Sequence, residues 1–195
     1  MRIITGQAKG RKLKGPPDHG TRPMLDRVKE SLFSILEGYD AIHGRVLDLY
    51  AGTGALGIEC LSRGAEWADF VEQRGAVAKV IRENLRLTRM EQRAHIYTMS
   101  VERFLHSGLA KAKYAIILMD PPYADPAIEK TIGMVAEAQL LEEEGLLVVG
   151  HWPRLTLVER YGPLVQIKSR RLGDSCFTIF EQESTITTSP PEHKV

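Results

Sequence analysis

Two short stretches of this chain carry residue types suited to chemistry. The first is Asp120-Pro121-Pro122-Tyr123, which follows the most apolar run of the sequence, YAIILM. Consecutive prolines fix the backbone and remove two N–H donors. Their carbonyls are then expected to stay free as acceptors. Asp120 adds a carboxylate acceptor, and Tyr123 adds a flat face on which a nucleobase can stack. Acceptors for its hydrogens and a platform for its ring are what an exocyclic base amine needs.

The second stretch is GTGALG, in which Gly52, Gly54 and Gly57 match G-x-G-x-x-G. It follows a strand-like run and opens a helical one, the context in which such glycines let backbone approach a ligand closely. Glu72 lies 20 positions after Gly52, at the end of the next strand-like run, where a carboxylate can accept both ribose hydroxyls of a nucleoside. The pattern fits either a nicotinamide dinucleotide or S-adenosylmethionine. Asp48, four residues before Gly52, separates the two. A dinucleotide brings pyrophosphate to the helix N-terminus, and a carboxylate there repels it. A sulfonium and an α-ammonium are instead attracted. Asp48 could also act indirectly, by accepting from the loop amides.

The elements that position these residues alternate. Helical spacing runs through MLDRVKESLFSILEG and stops at Gly38. Strand patterns cover 45–50, 67–72, 94–99, 114–120 and 145–151. Helical patterns follow the glycine loop as far as Gly64 and cover 75–88, 101–110 and 126–139. LVQIKS and CFTIFEQ flank RRLGD as an antiparallel hairpin. This predicts an α/β fold: a Rossmann-like, doubly wound, mostly parallel sheet with an antiparallel C-terminal hairpin and a small basic N-terminal extension. The expected organisation is a basic arm and helix over 1–40, a catalytic domain over 41–183 and a frayed tail over 184–195. Residues 1–20 are expected to add a short strand pair or an irregular arm, but little core.

At 195 residues, with 43% hydrophobic and 26% charged residues, the chain suits one globular domain. No run approaches the roughly 18 apolar residues of a membrane span, and the basic N-terminus lacks the apolar core of a signal peptide. A cytoplasmic monomer is the expectation, without a membrane role. Six scattered histidines and two isolated cysteines predict no metal. Cys60 and Cys176 read as buried, reduced thiols. The net charge of +1 hides an asymmetry. Residues 1–29 hold eight basic against two acidic residues, and the rest holds 18 against 23. A basic arm on an acidic body points to an anionic partner, nucleic acid first.

DLYAGTGALG together with DPPY resembles the Rossmann-like amino-methyltransferases that use S-adenosylmethionine. RIITGQAKGRKLKGP and TRPMLDRVKESLFSIL narrow the match over residues 2–181 to the RsmD family, which methylates a guanine N2 amine in 16S ribosomal RNA. The resemblance implies that Asp48, Gly52 and Gly54 line the methionine end of the cofactor and that Glu72 holds its ribose, with Ala51, Gln73 and Asp120 also at the cofactor. It implies that Asp120 and the Pro121 carbonyl meet the target amine, with Pro122 in the same turn, and that Tyr123 stacks the flipped base. Lys9, Arg11, Lys12, Lys14, Arg22 and Arg27 would contact RNA, with Asp26 ordering the loop near the mouth. The substrate would be 16S rRNA, naked or within the assembled small subunit. Three positions depart from the family pattern. Ser100 stands where Asp or Asn usually meets the adenine, leaving a weaker contact or one through the Val101 backbone. Gln73 follows Glu72 in a QRG context. Gly150 precedes His151 where Glu-His is common. The other readings are an adenine-N6 DNA or RNA methyltransferase, an NAD(P)-binding oxidoreductase, and an RNA-binding domain without activity.

Overall fold

The computed structural model describes residues 1–16, 26–110, 112–122 and 125–184. Arg22 and Tyr123, and the tail from residue 185 onward, therefore lie outside the described residues. Five helices, α1 (Asp26–Gly38), α2 (Ala55–Arg63), α3 (Gly75–Thr88), α4 (Val101–His106) and α5 (Ile128–Ala138), alternate with the first five strands. These are β1 (Arg45–Leu49), β2 (Trp67–Val71), β3 (Ala94–Tyr97), β4 (Tyr114–Met119) and β5 (Leu141–His151). The chain closes with β6 (Arg160–Tyr161), β7 (Leu164–Leu172) and β8 (Ser175–Gln182).

All eight strands form one sheet in the order β3-β2-β1-β4-β5-β8-β7-β6. β1 to β5 run parallel; β8 lies antiparallel to β5, and β7 to β8. The winding direction reverses between β1 and β4, which opens a crevice at their carboxyl ends where α/β sheets bind ligands. β4 is buried along its whole length, as a central parallel strand covered on both faces should be. One face packs with α4 and α5 through Phe104, Ile132 and Val135. The other packs with α1 and α2 through Leu32, Phe33 and Cys60.

The N-terminal segment departs from expectation. Arg2 and Lys12 form a single antiparallel bridge, but Ile3, Ala8 and Leu13 are buried against Ile58, Leu61, Ile81 and Leu85 of α2 and α3. The segment supplies core as well as charge. Gly6, at φ +81, seats against the end of α2, where a Cβ would lie 1.8 Å from the Ser62 carbonyl oxygen. Buried charge holds the arm in place. Glu59 of α2 accepts from the amides of Ile4 and Thr5 and pairs with Lys29 at 3.0 Å and Arg63 at 2.9 Å. Glu59 and Lys29 are both fully buried. The two cysteines are free; Cys60 is buried, but Cys176 is half-buried on the terminal hairpin rather than in the core.

Candidate active site at the carboxyl ends of β1, β2 and β4

Each strand end delivers one carboxylate. Asp48 is the fourth residue of β1, Glu72 follows β2 and Asp120 follows β4. Asp48 is buried, and its Oδ2 accepts from the Gly57 amide at 2.9 Å. That amide belongs to the first turn of α2, one of the donors left without a helical partner. Asp48 thus serves the glycine loop from behind and occupies a helix-end donor that a pyrophosphate would need. Burial raises its pKa well above the usual carboxylate range, and the negative charges of Asp120 and Glu72 push the same way.

Glu72 braces the loop from the β2 side. Its Oε2 accepts from the Gly52 amide at 3.1 Å and its Oε1 from the Arg74 amide at 2.8 Å. A carboxylate offers about four acceptor positions, so both oxygens keep capacity for a ligand's hydroxyls. The loop requires its glycines. Gly52 and Gly54 sit at φ +54 and +79, where a side chain is strained. A Cβ on Gly57 would fall 2.4 Å from the Phe70 ring, so α2 could not approach β2. Ala51, buried, donates to the Val71 carbonyl and accepts from the Gly54 amide. Tyr50, at φ +56 just before it, is tied through its hydroxyl to Thr131 of α5 at 3.2 Å.

Asp120 is half-buried at the mouth, and loss of hydration pushes its carboxyl up to about 6. Among the described residues no hydrogen bond or ion pair ends on that carboxylate. Space for it comes from β5: a Cβ on Gly150 would lie 2.3 Å from Asp120 Oδ1. Pro121 is buried and Pro122 exposed. The expectation that both proline carbonyls stay free is corrected for Pro122, whose oxygen accepts from the Asp125 amide at 3.0 Å. The turn that leads into α5 consumes it.

Ser100 is exposed and caps α4, its hydroxyl accepting from the Arg103 amide at 3.3 Å; Val101 beside it is buried. Gln73 is exposed between Glu72 and Arg74. His151 has both ring nitrogens engaged, with the Trp152 carbonyl at 3.0 Å and the Thr178 hydroxyl at 2.9 Å. Burial lowers its pKa, which fits a neutral, structural histidine. Among the described residues no group of three or more His, Cys, Asp or Glu could hold a metal.

The basic arm is spread along the molecule. Its 6–10 turn rests on Ser62 near the far end of α2, through the Gln7 and Ala8 amides. Lys9 and Lys12 are exposed there. Arg11 donates to the Leu87 carbonyl, and Lys14 pairs with Glu83 at 2.8 Å. Arg27 is exposed at the start of α1, and Asp26 pairs with Arg2. The sequence reading missed the residue that joins arm to loop. Asn84, buried on α3, accepts from the Lys14 amide and donates to the carbonyls of Lys14 and Thr53. An asparagine between Ile81 and Leu85 on the buried face of the helix is the signal that could have found it.

The model of the family described as conserved hypothetical protein 95 matches residues 1–181. The chain is 36% identical over 184 residues to the Bacillus subtilis (strain 168) protein "Putative rRNA methyltransferase YlbH", covering 93% of this chain and 99% of that one. It is 36% identical over 149 residues to ribosomal RNA small subunit methyltransferase D of Escherichia coli (strain K12), covering 76% and 73%. The solved structure of the Escherichia coli protein "Putative methyltransferase yhhF" superposes with a TM-score of 0.81 at 32% identity, covering 94% and 98%.

Proposed function

Because the chain belongs to the conserved hypothetical protein 95 family, the RsmD-like methyltransferases, we propose that it methylates the N2 amine of a guanine in small-subunit ribosomal RNA. S-adenosylmethionine is the cofactor. The observation that carries the reading is the convergence of Asp48, Glu72 and Asp120 on a glycine loop at the switch point between β1 and β4. The carboxylates of Glu72 and Asp120, with the first-turn amide of α2 already taken by Asp48, fit a cationic nucleoside and oppose a dinucleotide's pyrophosphate.

When bound, S-adenosylmethionine supplies an electrophilic methyl group on sulfur. The chain's residues do the rest. Glu72 accepts from the ribose hydroxyls while it holds Gly52 in place. The backbone at Gly52 and Gly54, which carry no side chains, admits the methionine portion. Ser100 and Val101 border the adenine, and Gln73 lies at the ribose edge. A guanine amine is a poor nucleophile because its lone pair is conjugated with the ring. Asp120 and the Pro121 carbonyl accept its two hydrogens and turn the lone pair towards the methyl group. With its carboxyl pushed up to about 6, Asp120 is mostly ionised at neutral pH, so it enters as an acceptor and can take the proton that the methylated nitrogen sheds. Orientation of this kind is worth several kcal/mol, up to roughly 7–11 in favourable intramolecular cases. Tyr123 is proposed to stack the flipped base, returning on the order of 1–3 kcal/mol of the unstacking cost.

Lys9, Arg11, Lys12, Lys14, Arg22 and Arg27 are proposed RNA contacts, with residues 1–40 forming the arm-and-helix unit and 41–183 the catalytic one. α2 has nine residues, about 13 Å of helix. Lys9 at its far end therefore lies well away from Asp120, and the footprint on RNA extends beyond the target base. A cytoplasmic monomer acting on rRNA or the assembled small subunit completes the reading.

The test is incubation with methyl-labelled S-adenosylmethionine and unmethylated small subunits or their naked RNA, followed by nucleoside mass spectrometry. Label in N2-methylguanosine is expected. Label in N6-methyladenosine would replace the target with the adenine amine that DPPY also suits.

A further inference from the structure

We propose that the tip of the β7–β8 hairpin is a second RNA-contacting element, holding phosphates next to the target nucleotide through Lys168, Arg170 and Arg171. This rests on the RNA-methyltransferase reading above. Register places the tip. β8 runs antiparallel to β5, so residues 172–175 come out at the carboxyl end of β5, the end that carries Asp120. Gly150 pairs with Phe177, and Phe177 with Arg170; His151 pairs with Cys176, and Cys176 with Arg171. Arg170 therefore shares a transverse row of the sheet with Gly150, which abuts the Asp120 carboxylate. Two strand spacings, roughly 10 Å, separate their backbones.

The charge is uncompensated. Lys168, Arg170 and Arg171 are all exposed. None forms an ion pair among the described residues. Arg171 uses only Nε, on the Gly173 carbonyl, which leaves the terminal nitrogens of its guanidinium for a phosphate. Asp174 is the one acidic residue on the tip. Among the described residues, β6 and Glu159 before it cover β7 only from Leu164 to Gln166, so the outer edge of β7 is open where the cations stand. Charged edges also discourage strand pairing between copies. That role predicts self-association when the charges are removed, and no change in RNA affinity. The placement beside the mouth favours RNA. The carboxylates of the site would repel a polyanion, and cations on its rim offset that repulsion.

The experiment compares wild-type protein with R170E/R171E, R170Q/R171Q and R170K/R171K. Binding to naked small-subunit rRNA and to assembled small subunits is measured across salt concentration, and S-adenosylhomocysteine affinity serves as the folding control. R170E/R171E is expected to weaken RNA binding at least about tenfold and to lower the slope of log affinity against log salt by about 2. Cofactor affinity should be unchanged and R170K/R171K near wild type. Wild-type RNA affinity and slope in both charge-removing variants would overturn the proposal, whether or not those variants self-associate. So would a loss confined to assembled subunits, which would assign the tip to a protein surface. A wild-type protein that methylates no RNA nucleoside would instead remove the underlying reading.

Discussion

Asp120 and Gly150 fit together as a pair: the carboxylate at the end of β4 occupies the space that a side chain on β5 would take. A Cβ at 150 would lie 2.3 Å from Oδ1 and 3.2 Å from the carboxyl carbon. Gly150→Ala should therefore leave the fold intact but rotate the Asp120 carboxyl. Expected is a fall in kcat of about 10–100-fold, the size of effect that misplacing a reacting group by about 1 Å produces. S-adenosylmethionine affinity should hold. Steady-state kinetics beside calorimetry would show it, and an unchanged kcat would mean that Asp120 has another working orientation.

The raised pKa of Asp120 makes the rate depend on pH. As the acceptor it must be ionised, so kcat/KM should climb between about pH 5 and 7 with a midpoint near 6 and then level off. A flat profile over that range would separate Asp120 from the chemical step.

The same shift carries a stability cost of known sign. The folded state binds this proton more tightly than the unfolded chain, so stability is lost as pH rises through the interval from the ordinary 3.8 to about 6. The loss at neutral pH is at most about 3 kcal/mol. Asp120→Asn should thus be inactive yet melt higher than wild type at pH 7.5, with the difference shrinking towards pH 4. Equal melting differences at the two pH values would contradict the cause assigned to the shift.

Asn84 ties the arm to the cofactor loop. Asn84→Leu removes the bonds to Lys14 and Thr53 and leaves their buried backbone groups unpaired. A loss of about 2–4 kcal/mol is expected. S-adenosylhomocysteine affinity should fall and proteolysis within residues 1–16 should speed up. Wild-type affinity in a folded variant would show that the loop stands without the arm.

Lys29 belongs to the TRPMLDRVKESLF segment, but it points inward to Glu59. Lys29→Met removes one of the two cations paired with the fully buried Glu59 and should cost about 3–5 kcal/mol, read from urea denaturation. A loss below about 1 kcal/mol would mean that Arg63 and the arm amides satisfy Glu59 by themselves.

Local signals in the sequence reach much of this architecture. The 75–88 periodicity coincides with α3, and the apolar run at 114–120 with the covered strand β4, because both patterns report burial directly. The glycine loop and the carboxylates were legible because strand-to-helix turns need those residue types at those places. Three features were not. The arm's contribution to the core depends on contacts 54 to 70 residues away, at Glu59, Ser62 and Asn84. Gly150 looked like a departure from a pattern, and its reason lies on a neighbouring strand. β5 begins at Leu141 rather than 145, since Leu141 pairs with Tyr114 across a register shift that no local pattern announces.

The central claim is that Asp120 receives the hydrogens of a base amine beside bound S-adenosylmethionine. Single-turnover methyl transfer to small-subunit RNA by Asp120→Ala, with cofactor occupancy measured in the same sample, tests it most directly. The account predicts full occupancy, intact RNA binding and a transfer rate reduced at least about a hundredfold. Transfer near the wild-type rate would contradict it, and so would a variant that no longer holds the cofactor.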